Sequence, residues 1–265
     1  MNRIVECFDS LRARGRKGLV VYIGAGDPDL QTTLRLSLAL ERAGVDILEL
    51  GVPFSDPLAD GLVNQLAAQR GLDSGTTPPA VLDTVRAIRR ESSVPIVLYL
   101  YYNLLHRVGP ETFIRDCAAA GVDGLLVLDL PPEESGSHGK LMDASGLCPI
   151  YLVAPTTPAE RMALIGPLAR GFIYYVSREG VTGMQTTVSD TIGAMTARIR
   201  AHSSLPIAVG FGISNADQAR EVARHADAIV VGSAVVNRIA ELGRSPRLIP
   251  EVTAFVTSLS QAIQS

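Results

Sequence analysis

The sequence predicts an α/β chain closed as a (β/α)8 barrel, and three observations carry that prediction. Eight short apolar runs recur along the 265 residues. Helix-like stretches with apolar residues at three- and four-residue spacing separate them, and no linker-like break divides the chain. Alternating strand and helix imply a parallel sheet. Eight such strands in one chain of this length fit a closed barrel, one domain over residues 1–265, better than a doubly wound sheet with two surplus strands.

In order, the first segment, MNRIVECFDSLRARGRKG, reads as an extra N-terminal amphipathic helix and holds no apolar signal core. The strand runs are GLVVYIG at 18–24, DILEL at 46–50, VPIVLYL at 94–100 and DGLLVLDL at 123–130. CPIYLV at 148–153, GFIYYVS at 171–177, LPIAVGFG at 205–212 and DAIVVGS at 227–233 complete the set. Most are continuously apolar rather than alternating, as strands covered on both faces should be. Between them lie helical patterns such as Val81-Val85-Ile88 and Met162-Ile165-Leu168. One phrase nearly repeats: AGVDILEL at 43–50, AGVDGLLV at 120–127 and, more loosely, HADAIVVG at 225–232. Each places an Asp just before a strand.

Composition removes several function classes. A net charge of −3 without a long basic run makes nucleic acid and anionic membranes poor partners. Aromatics at 5%, with no tryptophan, argue against a base-stacking platform. Cys7, Cys117 and Cys148 are scattered and form no CxxC, and the four histidines do not cluster. Neither a disulfide framework nor a zinc site is expected. No apolar run reaches membrane-spanning length, so the expectation is a soluble cytoplasmic protein.

In such a barrel, chemistry belongs to the loops at the C-terminal ends of the strands. Three glycine turns lie there: GVTG at 180–183, GFGIS at 210–214 and GSA at 232–234. Unobstructed backbone N–H groups at helix starts are ready anion sites, and glycines after strands seven and eight match the common barrel phosphate site. The stretch LELGVPFSDPLADG at 48–61 poses a different question, because Glu49 interrupts an apolar strand. A carboxylate there costs several kcal/mol unless it is paired, solvated or protonated. Either that position faces water or the chain keeps an acid there for a purpose.

The same stretch resembles the signature of the tryptophan synthase alpha chain family, and the resemblance extends over essentially the whole sequence. GDP at 26–28, Tyr102-Asn103, VDGLLVLDLPPEES at 122–135, SREGVTG at 177–183 and GFGIS at 210–214 are similar as well. The resemblance implies a lyase that cleaves indole-3-glycerol phosphate into indole and glyceraldehyde 3-phosphate, a retro-aldol break needing no metal or organic cofactor in this chain. It implies Glu49 as general acid/base, its pKa raised by its apolar surroundings, and Asp60 as acceptor of the indole N–H. Gly183, Gly212, Gly232 and Ser233 would hold the phosphate. Tyr22, Leu100, Tyr174 and Phe211 would wall the indole pocket, with Arg178 and Thr182 in a loop that closes over the ligand. Asp56 is expected to shape its loop or meet a partner.

The resemblance also implies that partner: a beta chain carrying pyridoxal phosphate, in an alpha2-beta2 heterotetramer, touching the loop Pro53 to Asp60 and receiving indole. The alternatives are a free-standing indole-3-glycerol phosphate lyase and a catalytically weakened barrel acting as a regulatory subunit. Three positions depart from the family pattern. Leu62 stands where a proline is usual, Asn64 where an apolar residue lines the pocket, and Gly24 where a Thr is common, which is expected to add slack beneath the loop.

Overall fold

The computed structural model describes residues 1–176 and 188–264. Asn2 opens the first helix, α1 (Arg3–Ala13), by accepting from the Ile4 N–H, which satisfies one of the donors a helix start leaves open. The chain continues through β1 (Gly18–Gly24), α2 (Leu30–Arg42), β2 (Ile47–Gly51), α3 (Leu62–Asp73), α4 (Pro78–Arg89) and β3 (Ile96–Leu100). Next come α5 (Tyr102–Val108), α6 (Pro110–Ala120), β4 (Gly124–Val127), α7 (Gly136–Ala144), β5 (Cys148–Val153) and α8 (Ala159–Leu168). The last third holds β6 (Ile173–Val176), α9 (Val188–Arg200), β7 (Ile207–Gly210), α10 (Ala216–Ala223), β8 (Ala228–Val231), α11 (Ser233–Leu242) and α12 (Leu248–Ala262). The strands pair in parallel in chain order, and β8 closes on β1. No helix of the described residues is long and apolar enough to cross a membrane.

The near-continuous apolar strands feed two cores. Leu48, Leu50, Leu98, Leu100, Val209 and Ile229 point outward into the large cluster beneath the helices. Alternate positions, Val20, Ile47, Val97, Leu126, Ile150 and Ala208, point inward and fill the barrel. The extra helix α1 belongs to that inner core: Ile4, Phe8 and Leu11 close the N-terminal end of the barrel, with Phe8 5.7 Å from the Phe172 ring.

The repeated Asp before a strand has a physical role at that end. Asp46, just before β2, accepts from the Leu19 N–H of β1 at 2.8 Å. Asp123, before β4, accepts from Ile96 N–H at 2.8 Å, and Asp227, before β8, from Ile207 N–H at 2.9 Å. Each carboxylate thus holds a main-chain donor at the start of the neighbouring strand, where the ladder offers no partner. Asp123 is the most elaborate of the three, since Arg3 (2.8 Å) and Arg89 (2.7 Å) also bind it.

Candidate active site

At the C-terminal mouth the chain leaves a cavity of about 430 Å³. Strand parity decides what enters it. β2 points Ile47 and Glu49 inward, with Glu49 one step nearer the mouth and in register with Tyr22 on β1 and Val97 on β3. Glu49 is 1% exposed, and neither carboxylate oxygen has a hydrogen-bond partner among the described residues. Burial first, and the nearby Asp60 second, push its pKa from 4.5 up to about 8. The acid in the apolar strand is therefore kept protonated at neutral pH rather than paired.

Asp60 is buried too, on the loop between β2 and α3, but its surroundings are opposite. The Tyr99 hydroxyl donates to Oδ1 at 2.5 Å and the Tyr101 hydroxyl to Oδ2 at 2.9 Å. Asn64 Nδ2 adds a longer contact to Oδ1 at 3.4 Å. Tyr101 also accepts from the Ala59 N–H at 3.0 Å, so it ties the loop to the end of β3. The helix that follows is anchored by Arg70, whose guanidinium grips the buried Asp27 carboxylate through two bonds of 2.8 and 2.7 Å. Tyr22 and Tyr174 face both acids, and burial together with the neighbouring carboxylates drives their phenol pKa values well up, so both remain neutral donors.

Across the cavity lie the glycine turns. Gly212 has φ +63°, a left-handed conformation suited to glycine, and no atom of the described residues stands within 4 Å of where its Cβ would be. Two helix starts follow, and they differ. Asn215 accepts from the Gln218 N–H and so already caps α10. Gly232 makes no side-chain cap for α11, and Gly232 with Ser233, the first residue of that helix, lines the cavity. The start of α11 is thus the better anion site.

Tyr22, Glu49, Asp60, Tyr174, Phe211, Gly212, Gly232 and Ser233 all line this one cavity. Leu100 does not. It is fully buried in the outer core because parity on β3 turns it away from the barrel axis, and Tyr99 holds the inward place. The resemblance missed Tyr99 and Tyr101, although counting inward positions from Val97 selects Tyr99. Arg178, Thr182 and Gly183 lie outside the described residues.

The family profile of the tryptophan synthase alpha chain matches residues 8–264. The chain belongs to that family. It is 53% identical over 260 residues to the tryptophan synthase alpha chain of Opitutus terrae, covering 98% of each, and 50% identical over 263 residues to that of Pelobacter propionicus, covering 99% of this chain and 98% of the other. Among solved structures, tryptophan synthase subunit alpha from Legionella pneumophila superposes with a TM-score of 0.92 at 38% identity, over 99% of this chain and 98% of that one.

As a member of the tryptophan synthase alpha chain family, the chain shows where its departures lead. Asn64 lines the cavity, its Nδ2 facing the Asp60 carboxylate and its Oδ1 buried without a partner. At Gly24, the fully buried Ala67 of α3 stands 3.4 Å from where a Cβ would be, an ordinary contact distance. Leu62 is the first residue of α3 and stays 69% exposed.

Proposed function

We infer that this chain is the alpha subunit of a tryptophan synthase, a lyase that cleaves indole-3-glycerol phosphate to indole and glyceraldehyde 3-phosphate. The observation that carries the reading is the pair of unlike acids over an open helix start: Glu49 buried, unpartnered and raised to about 8, Asp60 held by phenol donors. A group that must give a proton and then take one works best with a pKa near the operating pH.

In the proposed sequence, the phosphate sits at the N–H groups of α11 and the Gly212 turn, and the indole lies among Tyr22, Tyr174 and Phe211. Glu49 gives its proton to indole C3, and the ring becomes an indoleninium whose N–H is accepted by Asp60. The Glu49 carboxylate then takes the proton of the hydroxyl on the adjacent side-chain carbon. The carbonyl forms, the C3–carbon bond breaks, and its electron pair returns to the ring as indole leaves. Glu49 ends protonated, ready for the next turn. No group beyond these side chains is required in this chain.

The proposal extends to a beta chain that takes the indole and carries the pyridoxal phosphate, in an alpha2-beta2 assembly. The side of the loop away from the acids suits that docking. Phe54 stacks on Tyr101 at 5.3 Å, Leu58 is 91% exposed, and a groove of about 710 Å³ runs between the loop and α5. Asp56 lines this groove rather than the acid cavity. Because Tyr101 bonds both the loop and Asp60, a partner that fixes the loop also fixes an acid.

The test is indole release from indole-3-glycerol phosphate by the purified chain, alone and with a beta chain, beside Glu49→Gln and Asp60→Asn. Slow release that rises on adding the partner and vanishes in Glu49→Gln is expected. Fast release without a partner indicates the free-standing lyase, and no release in either condition overturns the reading.

A further inference from the structure

Tyr99 enters the reading above only as a donor to Asp60, yet its hydroxyl makes the shortest hydrogen bond to that carboxylate, 2.5 Å to Oδ1. Its placement is firm. β3 turns it inward, in register with Gly51 of β2 and Leu126 of β4. The Tyr22 ring meets it edge-on at 4.9 Å between centroids, which fixes the plane of the phenol. Gly51 makes that arrangement possible, because a side chain there would collide with the Tyr22 ring and hydroxyl.

Asp60 stands on a loop rather than on a strand, so nothing in the barrel ladder orients it. Tyr101 shares the task but holds Asp60 from one residue beyond β3, and its hydroxyl also takes the Ala59 N–H of the same loop. Tyr99 is the only one of the Asp60 partners among the described residues that comes from within a barrel strand. One oxygen is therefore held from within a barrel strand and the other from just past its end, and together the two phenols set the carboxylate plane. Burial and the Asp60 charge keep the Tyr99 proton on its own oxygen, so the phenol acts as a donor and not as a proton source.

Resting on the lyase reading above, we propose that Tyr99 is a positioning residue that registers the Asp60 carboxylate to the barrel and aims its remaining acceptor capacity at the indole N–H. It touches Asp60, not the reacting atoms, and acts through it. A misaimed acceptor leaves substrate binding nearly unchanged but fails to meet the N–H as it acidifies on C3 protonation, so the defect belongs to kcat.

Tyr99→Phe removes the hydroxyl and leaves the ring packed on Tyr22. In this variant kcat is expected to fall about tenfold to a hundredfold, the usual effect of losing a group that orients a functional one, with KM changed less than about threefold. In an Asp60→Asn background the same substitution is expected to change kcat less than about threefold, since the two act as one unit. A crystal structure of Tyr99→Phe without substrate should show the Asp60 side chain rotated or in two conformers. Wild-type kcat in Tyr99→Phe, or an equal loss in both backgrounds, overturns the proposal. The crystallographic arm separates the two ideas: an unmoved Asp60 overturns the positioning role whatever the substrate, whereas a rotated Asp60 in a chain that releases no indole overturns the lyase reading alone.

Discussion

Two buried carboxylates, Glu49 and Asp123, sit at opposite ends of the same barrel, 1% and 2% exposed. Asp123 meets Arg3, Arg89 and the Ile96 N–H, and its charge is fully answered. Glu49 meets no donor among the described residues. The strand ends explain the contrast. At the N-terminal end α1 folds under the barrel and brings Arg3, while α4 brings Arg89, so the chain answers the charge with its own cations. At the C-terminal mouth the facing groups are phenols and another acid, and the charge is removed by protonation instead. A buried acid with matched partners holds a fold together, and one left without them is held ready for a ligand.

The comparison breaks first if Glu49 can be neutralised without consequence. Glu49→Gln keeps the shape and removes the proton exchange, so indole release is expected to fall about 10²- to 10⁴-fold, the usual worth of a general acid/base. Asp123→Ala should do the reverse. It leaves the Arg89 guanidinium, only 11% exposed, with carbonyl partners but no counter-charge from Asp123, and is expected to cost about 3–5 kcal/mol of stability by chemical denaturation. Activity per folded molecule should stay near wild type.

The pH dependence of stability sharpens the same contrast. The folded chain keeps the Glu49 proton up to about pH 8, whereas the unfolded chain releases it near 4.5. Unfolding therefore releases a proton between those values, and stability contributed by the neutral acid is lost as pH rises through that window. The melting temperature of Glu49→Gln is expected to gain on wild type from about pH 4.5 to about pH 8 and then run parallel. Each kcal/mol corresponds to about 2–4 °C for a chain of this size. A constant difference across the range contradicts a buried neutral Glu49.

The smallest effect belongs to the glycine side. Gly212→Ala forces a left-handed backbone on a residue with a Cβ, at about 1–2 kcal/mol. We expect KM for the phosphate substrate to rise about tenfold with kcat changed less. Because no described residue crowds the missing Cβ, a variant that folds normally but binds substrate as wild type would remove Gly212 from the phosphate site.

Much of this was legible from the chain itself. The eight apolar runs became the eight strands, because continuous burial leaves little choice of element, and GLVVYIG at 18–24 is β1 to the residue. The thrice-repeated Asp marked the hydrogen bonds that pin the starts of β1, β3 and β7. Glu49 was conspicuous as a charge in an apolar run. The indole wall was harder to read. On β3 every residue is apolar or aromatic, so composition does not distinguish inward Tyr99 from outward Leu100, and a slip of one position exchanges cavity for outer core. The two phenol bonds to Asp60 were illegible for another reason. They join a loop to residues about 40 positions later, and only closure of the barrel brings them together.

The central claim is that Glu49 is held neutral by burial without a partner. Its most direct test is a carbon-13 NMR titration of the Glu49 carboxyl in the unliganded chain, with Glu49→Gln identifying the signal. The account predicts a midpoint of about 8. A midpoint near the ordinary 4.5 would mean that the carboxylate is solvated or paired in solution, and the contrast with Asp123 would fall with it.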